Sequence, residues 1–167
     1  MKKYLWLIII LFTFDLYSQE ILTKEDIYIE NNLAYKVENK QLFTGKIQSF
    51  KHKNHLVLEI EFVDGILLKG IVYFNGKEKI VSDETYYFKM SRQIEKKIKY
   101  SIDHKTIWTV HFDEDGNKKL EEDFKDGIII YSCPYSKNKK HGKSFSINEK
   151  GERNECVFEN GKLIKSQ

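Results

Sequence analysis

The chain has 167 residues, with 28 Lys and Arg against 25 Asp and Glu and a formal net charge of +3. This near balance argues against a dedicated nucleic-acid binder, which would carry a clustered basic surplus. Aromatic residues make up 14% of the chain, which argues against long disorder. The length suits one domain with a sizeable core.

The first segment is typical of an export signal. Two lysines at its start are followed by an apolar run over residues 4–14, which Asp15 ends, and by the small residue Ser18. A membrane-spanning helix needs about 20 apolar residues, so the run is too short to favour the alternative of an uncleaved anchor. We therefore predict a signal-peptide helix over 1–18, a single domain over 19–167 and a periplasmic or secreted location, with the membrane met only through the export signal.

Short alternating segments next predict β-strands. Residues 27–30 and 33–37 flank Asn31-Asn32, a pair that favours a tight hairpin. Apolar and polar residues then alternate with the period of two that strands show. The alternating segments are 58–62, 98–102 and 108–112. The segment 83–97 is predicted to form a strand, a turn and a second strand.

A recurring motif, aromatic-x-(Asp or Asn)-Gly, marks the turns between these strands, and a looser apolar-x-x-x-Gly form accompanies it. Asp-Gly and Asn-Gly are the strongest short hairpin signals, because both turn positions need a positive φ. The predicted turn glycines are Gly65, Gly76, Gly116, Gly127, Gly151 and Gly161. The sequence therefore predicts an all-β fold, an antiparallel meander of hairpins in which each strand pairs with the next.

A longer pattern joins Gly-Lys or His-Gly-Lys, an aromatic strand, Asn-Gly-Lys and another strand. It occurs at 70–77 and between His141 and Lys162. The pattern resembles the MORN repeat variant family over roughly two-thirds of residues 41–167, with an interruption at 78–107. The resemblance implies an open, gently curved sheet of repeated hairpins. Many bacterial members are labelled antitoxins of toxin–antitoxin systems, a cytoplasmic role that the predicted export signal disfavours.

Two cysteines, Cys133 and Cys156, follow the predicted signal. An oxidising compartment favours a disulfide between them. The predicted strands at 128–133 and 152–158 are separated by another at 143–147, which would set the cysteines two strands, or about 9–10 Å, apart. Because a disulfide needs Cα atoms within about 7 Å, two small apolar residues in or near the core are the favoured alternative.

No catalytic or metal-binding pattern in the sequence is complete. His52 and His55 stand in a basic, turn-like stretch, whereas a zinc site needs three or four convergent ligands. Glycine comes too early in Asp113–Asn117 for an EF-hand loop, so a polar hairpin turn is favoured there. Cys133 has no recognisable base, and no Gly-x-Ser-x-Gly elbow is present. We predict no enzymatic activity, no cofactor and no metal.

Two surface features are candidates for binding. A basic patch suits anionic headgroups, a glycan or a polyanion, with a solvated connection as the alternative. Its members are Lys137, Lys139, Lys140 and Lys143. A group of aromatic residues suits a binding face, with cross-strand packing as the alternative. Its members are Tyr86, Tyr87, Phe88 and Trp108.

These patterns together predict an exported, non-enzymatic repeat protein. Hairpin repeats give an extended surface suited to recognition, so we expect a protein or cell-envelope component, and no nucleic acid, to dock on the sheet. Two alternatives stay open: a cell-envelope hydrolase, which needs a pocket joining Asp, Glu or His from separate hairpins, and a cytoplasmic antitoxin-like protein if residues 1–18 are not a signal. Exposed sheet edges favour association, which leaves room for a weak homo-dimer.

Overall fold

The computed structural model describes residues 20–52 and 54–166, and the predicted signal peptide over 1–18 lies outside them. A single 3₁₀ turn, Lys24–Asp26, follows the first strand. The strands are β1 (Glu20–Leu22), β2 (Ile27–Glu30), β3 (Leu33–Lys36), β4 (Gly45–Lys51), β5 (His55–Val63), β6 (Ile66–Tyr73), β7 (Val81–Tyr87), β8 (Ile94–Tyr100), β9 (Thr106–Phe112), β10 (Lys118–Lys125), β11 (Ile128–Ser136), β12 (Lys139–Lys140), β13 (Gly142–Ile147), β14 (Arg153–Glu159) and β15 (Lys162–Ser166).

One long sheet takes up most of the described chain. From β4 to β11 each strand pairs antiparallel with the next, and the order continues through β13, β14 and β15, with β12 beside β11. The all-β antiparallel meander predicted from the sequence is confirmed, as are the hairpin β2–β3 and the strand–turn–strand over 83–97. One pairing departs from the meander, because β1 pairs parallel with β4. No helix in the described residues is long and apolar enough to cross a membrane.

Two-residue turns close several hairpins with both residues at positive φ. They lie at 31–32, 64–65, 126–127, 137–138 and 160–161. In three of them the second residue is a glycine from the recurring motif: Gly65, Gly127 and Gly161. These turns match the twist of the flanking strands, which explains why Asp-Gly and Asn-Gly recur here.

Two further glycines of the motif lie in longer loops. Gly116 and Gly151 have φ of 80° and 81°. In the first loop the Asp113 side chain accepts a hydrogen bond from the main-chain N–H of Asn117, at 2.7 Å. In the second, the Asn148 side chain accepts one from the main chain four residues on, at 3.0 Å. The predicted polar hairpin turn over Asp113–Asn117 is confirmed.

The prediction of a tight turn is wrong at Gly76, which has no positive φ. It lies in a loop over 74–80, between the end of β6 and the start of β7. The longer loop brings the ammonium of Lys79 back over the sheet, 5.1 Å from the centre of the Tyr73 ring and 3.3 Å from the Glu59 carboxylate. Those contacts stabilise a longer loop between β6 and β7 where the motif alone favours a two-residue turn.

A β-bulge recurs near the start of the second strand of most hairpins in the long sheet. After a two-residue turn the bulged residue is the third of its strand, as at Leu68, Ile130 and Ile164. After a longer loop it is the second, as at Ser82, Glu95, Ile107 and Lys119. Each bulge interrupts the alternation of side chains between faces and adds local twist.

The hydrophobic core lies at one end of the sheet. The hairpin β2–β3 packs on the side of the sheet that carries Ile47, Phe62 and Leu67, here called the hairpin face. Phe43 is fully buried beside Phe62, with ring centres 5.8 Å apart. The opposite side, which carries Lys46, Glu59 and Ile71, is called the open face.

Beyond β7 the described sheet is a single layer with both faces open to solvent. Val110 and Cys133 are its buried hydrophobic residues there. Cross-strand side-chain pairs are the unit that stabilises such a sheet, because no second layer supplies a core. Both faces are therefore available as binding surfaces along most of the length of the sheet.

Candidate functional site

An open groove of about 740 Å³ lies on the open face, where β5 to β8 meet their turns. Its aromatic lining residues are Tyr86, Tyr87 and Phe88. The sequence predicted these three neighbours as a binding face, and the structure brings them together at the groove. Tyr87 follows Tyr86 along β7 and packs against the core on the hairpin face, so its ring has a structural role. Trp108, the fourth predicted aromatic residue, also lies on the hairpin face.

Two bulged residues complete the groove. Leu68 and Glu95 are the residues skipped in the pairing of β5 with β6 and of β7 with β8. Both line the groove. Each lies between a neighbour on the hairpin face and a neighbour on the open face, so alternation does not determine its side of the sheet, which is why sequence reasoning missed both. Bulges often re-aim side chains next to functional sites.

The groove continues along the open face into a second hollow of about 240 Å³. The two hollows share Tyr86 and Glu95. One cross-strand row of side chains runs through both, perpendicular to the strands. The row consists of Glu61, Lys69, Tyr86, Lys96 and His111. The two hollows are together called the trough.

Tyr86 is fixed at the centre of the trough. Its hydroxyl donates a hydrogen bond to the Glu84 carboxylate at 2.9 Å, and Tyr100 donates to the same oxygen at 2.8 Å. Burial and the bond to Glu84 raise the pKa of Tyr86 to about 12, so the phenol stays protonated at neutral pH. A ring held in this way loses little freedom when a ligand packs on it.

The charges along the trough balance. Its ionisable side chains are the carboxylates of Glu61, Glu95 and Glu114 and the ammoniums of Lys69, Lys89 and Lys96. Burial and the charge of Lys96 lower the pKa of His111, which is therefore neutral at pH 7. The trough offers hydrogen-bond acceptors and donors side by side without a net charge.

A second polar cluster lies on the hairpin face across β9 to β11. The Glu121 carboxylate accepts hydrogen bonds from the Trp108 indole at 3.2 Å and the Tyr135 hydroxyl at 2.8 Å, and pairs with Lys118 at 3.0 Å. Burial alone would raise the pKa of this carboxyl, but the three donors outweigh it and lower the pKa. Like Glu84, which accepts from Tyr100 of the neighbouring strand, Glu121 accepts across strands, and here the contacts tie three strands together.

Asp123 lies beside this cluster, but its carboxylate does not share the hydrogen bonds that stabilise the charged form of Glu121. In register it stands between Trp108 on β9 and Tyr131 on β11. Burial and the negative charge of Glu121 raise the pKa of Asp123. Within the described chain no hydrogen bond or ion pair offsets that cost, so Asp123 destabilises the fold at neutral pH.

The most deeply buried carboxylate, Glu59, lies on the open face near the core. It is 2% exposed and is held by Lys46 at 2.9 Å, the Gln48 amide at 2.8 Å and Lys79 at 3.3 Å. Burial would raise its pKa, but the hydrogen bonds from Lys46 and Gln48 and the lysine charges outweigh it and lower the pKa. Its partners enclose this carboxylate, which makes it a structural element.

The predicted basic patch divides between the two faces. Lys140 lies over two rings on the hairpin face, 5.2 Å from the centre of Phe158 and 5.9 Å from that of Tyr131. Lys143 lies on the open face by its register. The two members in and beside the turn, both exposed, are Lys137 and Lys139. The four lysines therefore do not form one surface.

The cysteines are free, and their strands are separated by β13. Ser144 pairs with Cys156, and the register of β11 with β13 continues to set Cys133 opposite the same serine. His52 is an exposed turn residue, and His55 begins β5. Over residues 20–52 and 54–166, no group of three or more His, Cys, Asp or Glu side chains could hold a metal ion.

Comparison with known proteins yields no assignment. No family model matches the chain, and no curated protein matches it. Among solved structures, the crystal structure of a GtfA/B complex bound to UDP and GlcNAc matches at 10% sequence identity with a TM-score of 0.37. The match covers 79% of this chain and 23% of that one, and at this TM-score it carries no argument about fold or function.

Proposed function

We propose that this protein is an exported binding module that holds a protein or cell-envelope component in the trough. The observation that carries the proposal is the trough itself, where a fixed aromatic ring stands among half-buried and exposed donors and acceptors on an open sheet face. Ligand sites combine apolar and aromatic surface with a few placed polar groups in the same way. A single-layer sheet leaves this surface open to a large partner.

The export part of the proposal rests on the charged, apolar and small-residue order of residues 1–18. Mass spectrometry of fractionated source cells tests it. We expect a mature N-terminus near Gln19 or Glu20 outside the cytoplasm. Full-length chain in the cytosol would contradict export and favour the antitoxin-like alternative.

Binding is tested with labelled mature protein titrated onto envelope fractions of the source cell. We expect saturable binding that Tyr86→Ala weakens at least about tenfold, because the ring supplies the central contact surface. Tyr131→Ala, which removes a ring from the hairpin face, is the matched control and is expected to bind like the native protein. Equal loss in both variants, or no saturable binding, would count against the trough as the site. Circular dichroism and thermal melts of each variant check that it is folded.

A further inference from the structure

We infer that the ligand of the trough is a neutral oligosaccharide strand that lies across β5 to β9. The inference rests on the proposed function, since it names the class of molecule that the trough binds. It follows from the length of the trough, its location within the sheet, its charge and its central ring.

The length suits a short polymer. The row from Glu61 on β5 to His111 on β9 crosses four gaps between strands. Adjacent strands lie about 4.8 Å apart, so the row spans about 19 Å, the length of about four linked hexose rings. Because the row runs across the strands, each strand contributes its own side chain to the next position along the ligand.

The location disfavours recognition of an extended peptide by strand addition. That mode needs the unpaired N–H and C=O groups of a sheet edge. The trough lies over β5 to β9, each of which is paired on both sides. A ligand in the trough is therefore recognised by side chains alone. Helix binding needs a continuous apolar groove, whereas charged side chains run through this one and its aliphatic residues are Leu68 and Ile98.

The charge pattern fits a polyhydroxyl ligand. The three carboxylates can accept hydrogen bonds and the three ammoniums can donate them, with Glu61 and Lys69 already paired at 3.8 Å. The trough has no net charge to attract a polyanion or a polycation. Sugar hydroxyls both donate and accept, so they can pair with both kinds of group. At the centre, the fixed ring of Tyr86 gives a flat apolar surface on which the C–H face of a pyranose can pack.

The first experiment treats the envelope fraction before the binding titration. Periodate cleaves the vicinal diols of sugars, and protease digestion removes proteins. We expect periodate to abolish Tyr86-dependent binding and protease to leave it within about twofold. The reverse pattern would overturn the sugar class while keeping the trough as a protein-binding site. Loss of Tyr86 dependence in untreated fractions would instead remove the proposed function.

The second experiment uses calorimetry with defined neutral tetrasaccharides of 4-linked glucose and 4-linked mannose, which carry the vicinal diols that periodate cleaves, and the matching monosaccharides. We expect at least one tetrasaccharide to bind at least about tenfold more tightly than its monosaccharide, a difference of about 1.4 kcal/mol. Affinity should be unchanged between about 0.05 and 0.5 M salt, because an uncharged ligand is not screened. Tyr86→Phe should stay within about threefold of native, since the ring remains, while Tyr86→Ala loses tenfold. Tighter binding of a heparin fragment or polylysine than of every tetrasaccharide would overturn the inference.

Discussion

Replacing Glu59 by glutamine tests the physical account of the open face most directly. The side chain keeps its shape but only one carbonyl oxygen. Since Lys46 donates to one oxygen of Glu59 and the Gln48 amide to the other, the glutamine can accept from only one of them in the native geometry. What disappears is the negative charge that faces two ammoniums at 2.9 Å and 3.3 Å. The substitution therefore removes the negative charge of a buried group together with one of its two hydrogen-bond acceptor oxygens.

The size of the effect follows from exposure. A hydrogen bond to a charged group contributes about 1.5–3 kcal/mol, and the Lys46 contact, between groups 24% and 2% exposed, belongs in that range. Lys79 is 54% exposed, so solvent screens most of its contribution. We expect Glu59→Gln to lower the free energy of unfolding at pH 7 by about 2 kcal/mol, or about 6 °C in melting temperature.

The lowered pKa of Glu59 determines how the stability lost in Glu59→Gln changes with pH. A carboxyl whose pKa is lowered by folding contributes stability that is fully present above the unfolded value of 4.5 and is lost as pH falls through the lower folded value. Urea unfolding at pH 7 and at pH 3 should therefore show a loss that shrinks in acid. Glu149→Gln, in an exposed loop, is the matched control and should change little at either pH. A loss at pH 7 below about 0.5 kcal/mol, or one equal at both pH values, would refute the reasoning.

Three further predictions concern other parts of the sheet. Gly65→Ala should lower the free energy of unfolding in urea by about 3 kcal/mol, and Gly127→Ala by about 1 kcal/mol. Both glycines have positive φ, but a Cβ at Gly65 would lie 2.9 Å from a main-chain oxygen of β3, whereas a Cβ at Gly127 would meet nothing within 4 Å. Equal losses in the two variants would refute the close approach at Gly65. Asp123→Asn should stabilise the protein at pH 7, and this gain should disappear as pH falls below the raised pKa of the native carboxyl. Urea unfolding over a range of pH measures the effect. A destabilised variant at pH 7 would contradict an uncompensated charge at Asp123. Thiol counting on the unfolded, unreduced protein should find both Cys133 and Cys156 free, because the cysteines lie two strands apart. A reductant should for the same reason leave the melting temperature unchanged. One disulfide per chain would contradict the strand register.

The sequence predicts the strands and most of the turns because both depend on local chemistry. Alternation over 58–62 gives β5 its two faces, and Asp-Gly or Asn-Gly supplies the positive φ that short hairpins need. Where a turn depends on distant contacts the prediction is wrong. The loop at Gly76 is set by Lys79 reaching across to another strand, a contact that no local motif encodes.

The trough is only partly predictable for a similar reason. Tyr86 and its neighbours were recognisable as candidates, but Leu68 and Glu95 enter the site through bulges, which leave no distinctive residue in the sequence. A bulge moves a side chain to the other face without changing composition or spacing. The parallel pairing of β1 with β4 is equally invisible, because three residues carry too little pattern to specify a partner.

The core lies at one end of the sheet, between the hairpin β2–β3 and β4 to β6, and this makes the resistance of the sheet to opening uneven. Local opening costs least where few buried apolar contacts hold the strands, so amide hydrogens in β13 to β15 should exchange first and those in β4 to β6 last. The terminal hairpins can then fray and re-form as separate units, as the end repeats of a linear array do. Since the trough begins over the slowly exchanging strands, the ligand would stay bound while the far end of the sheet opens and closes locally.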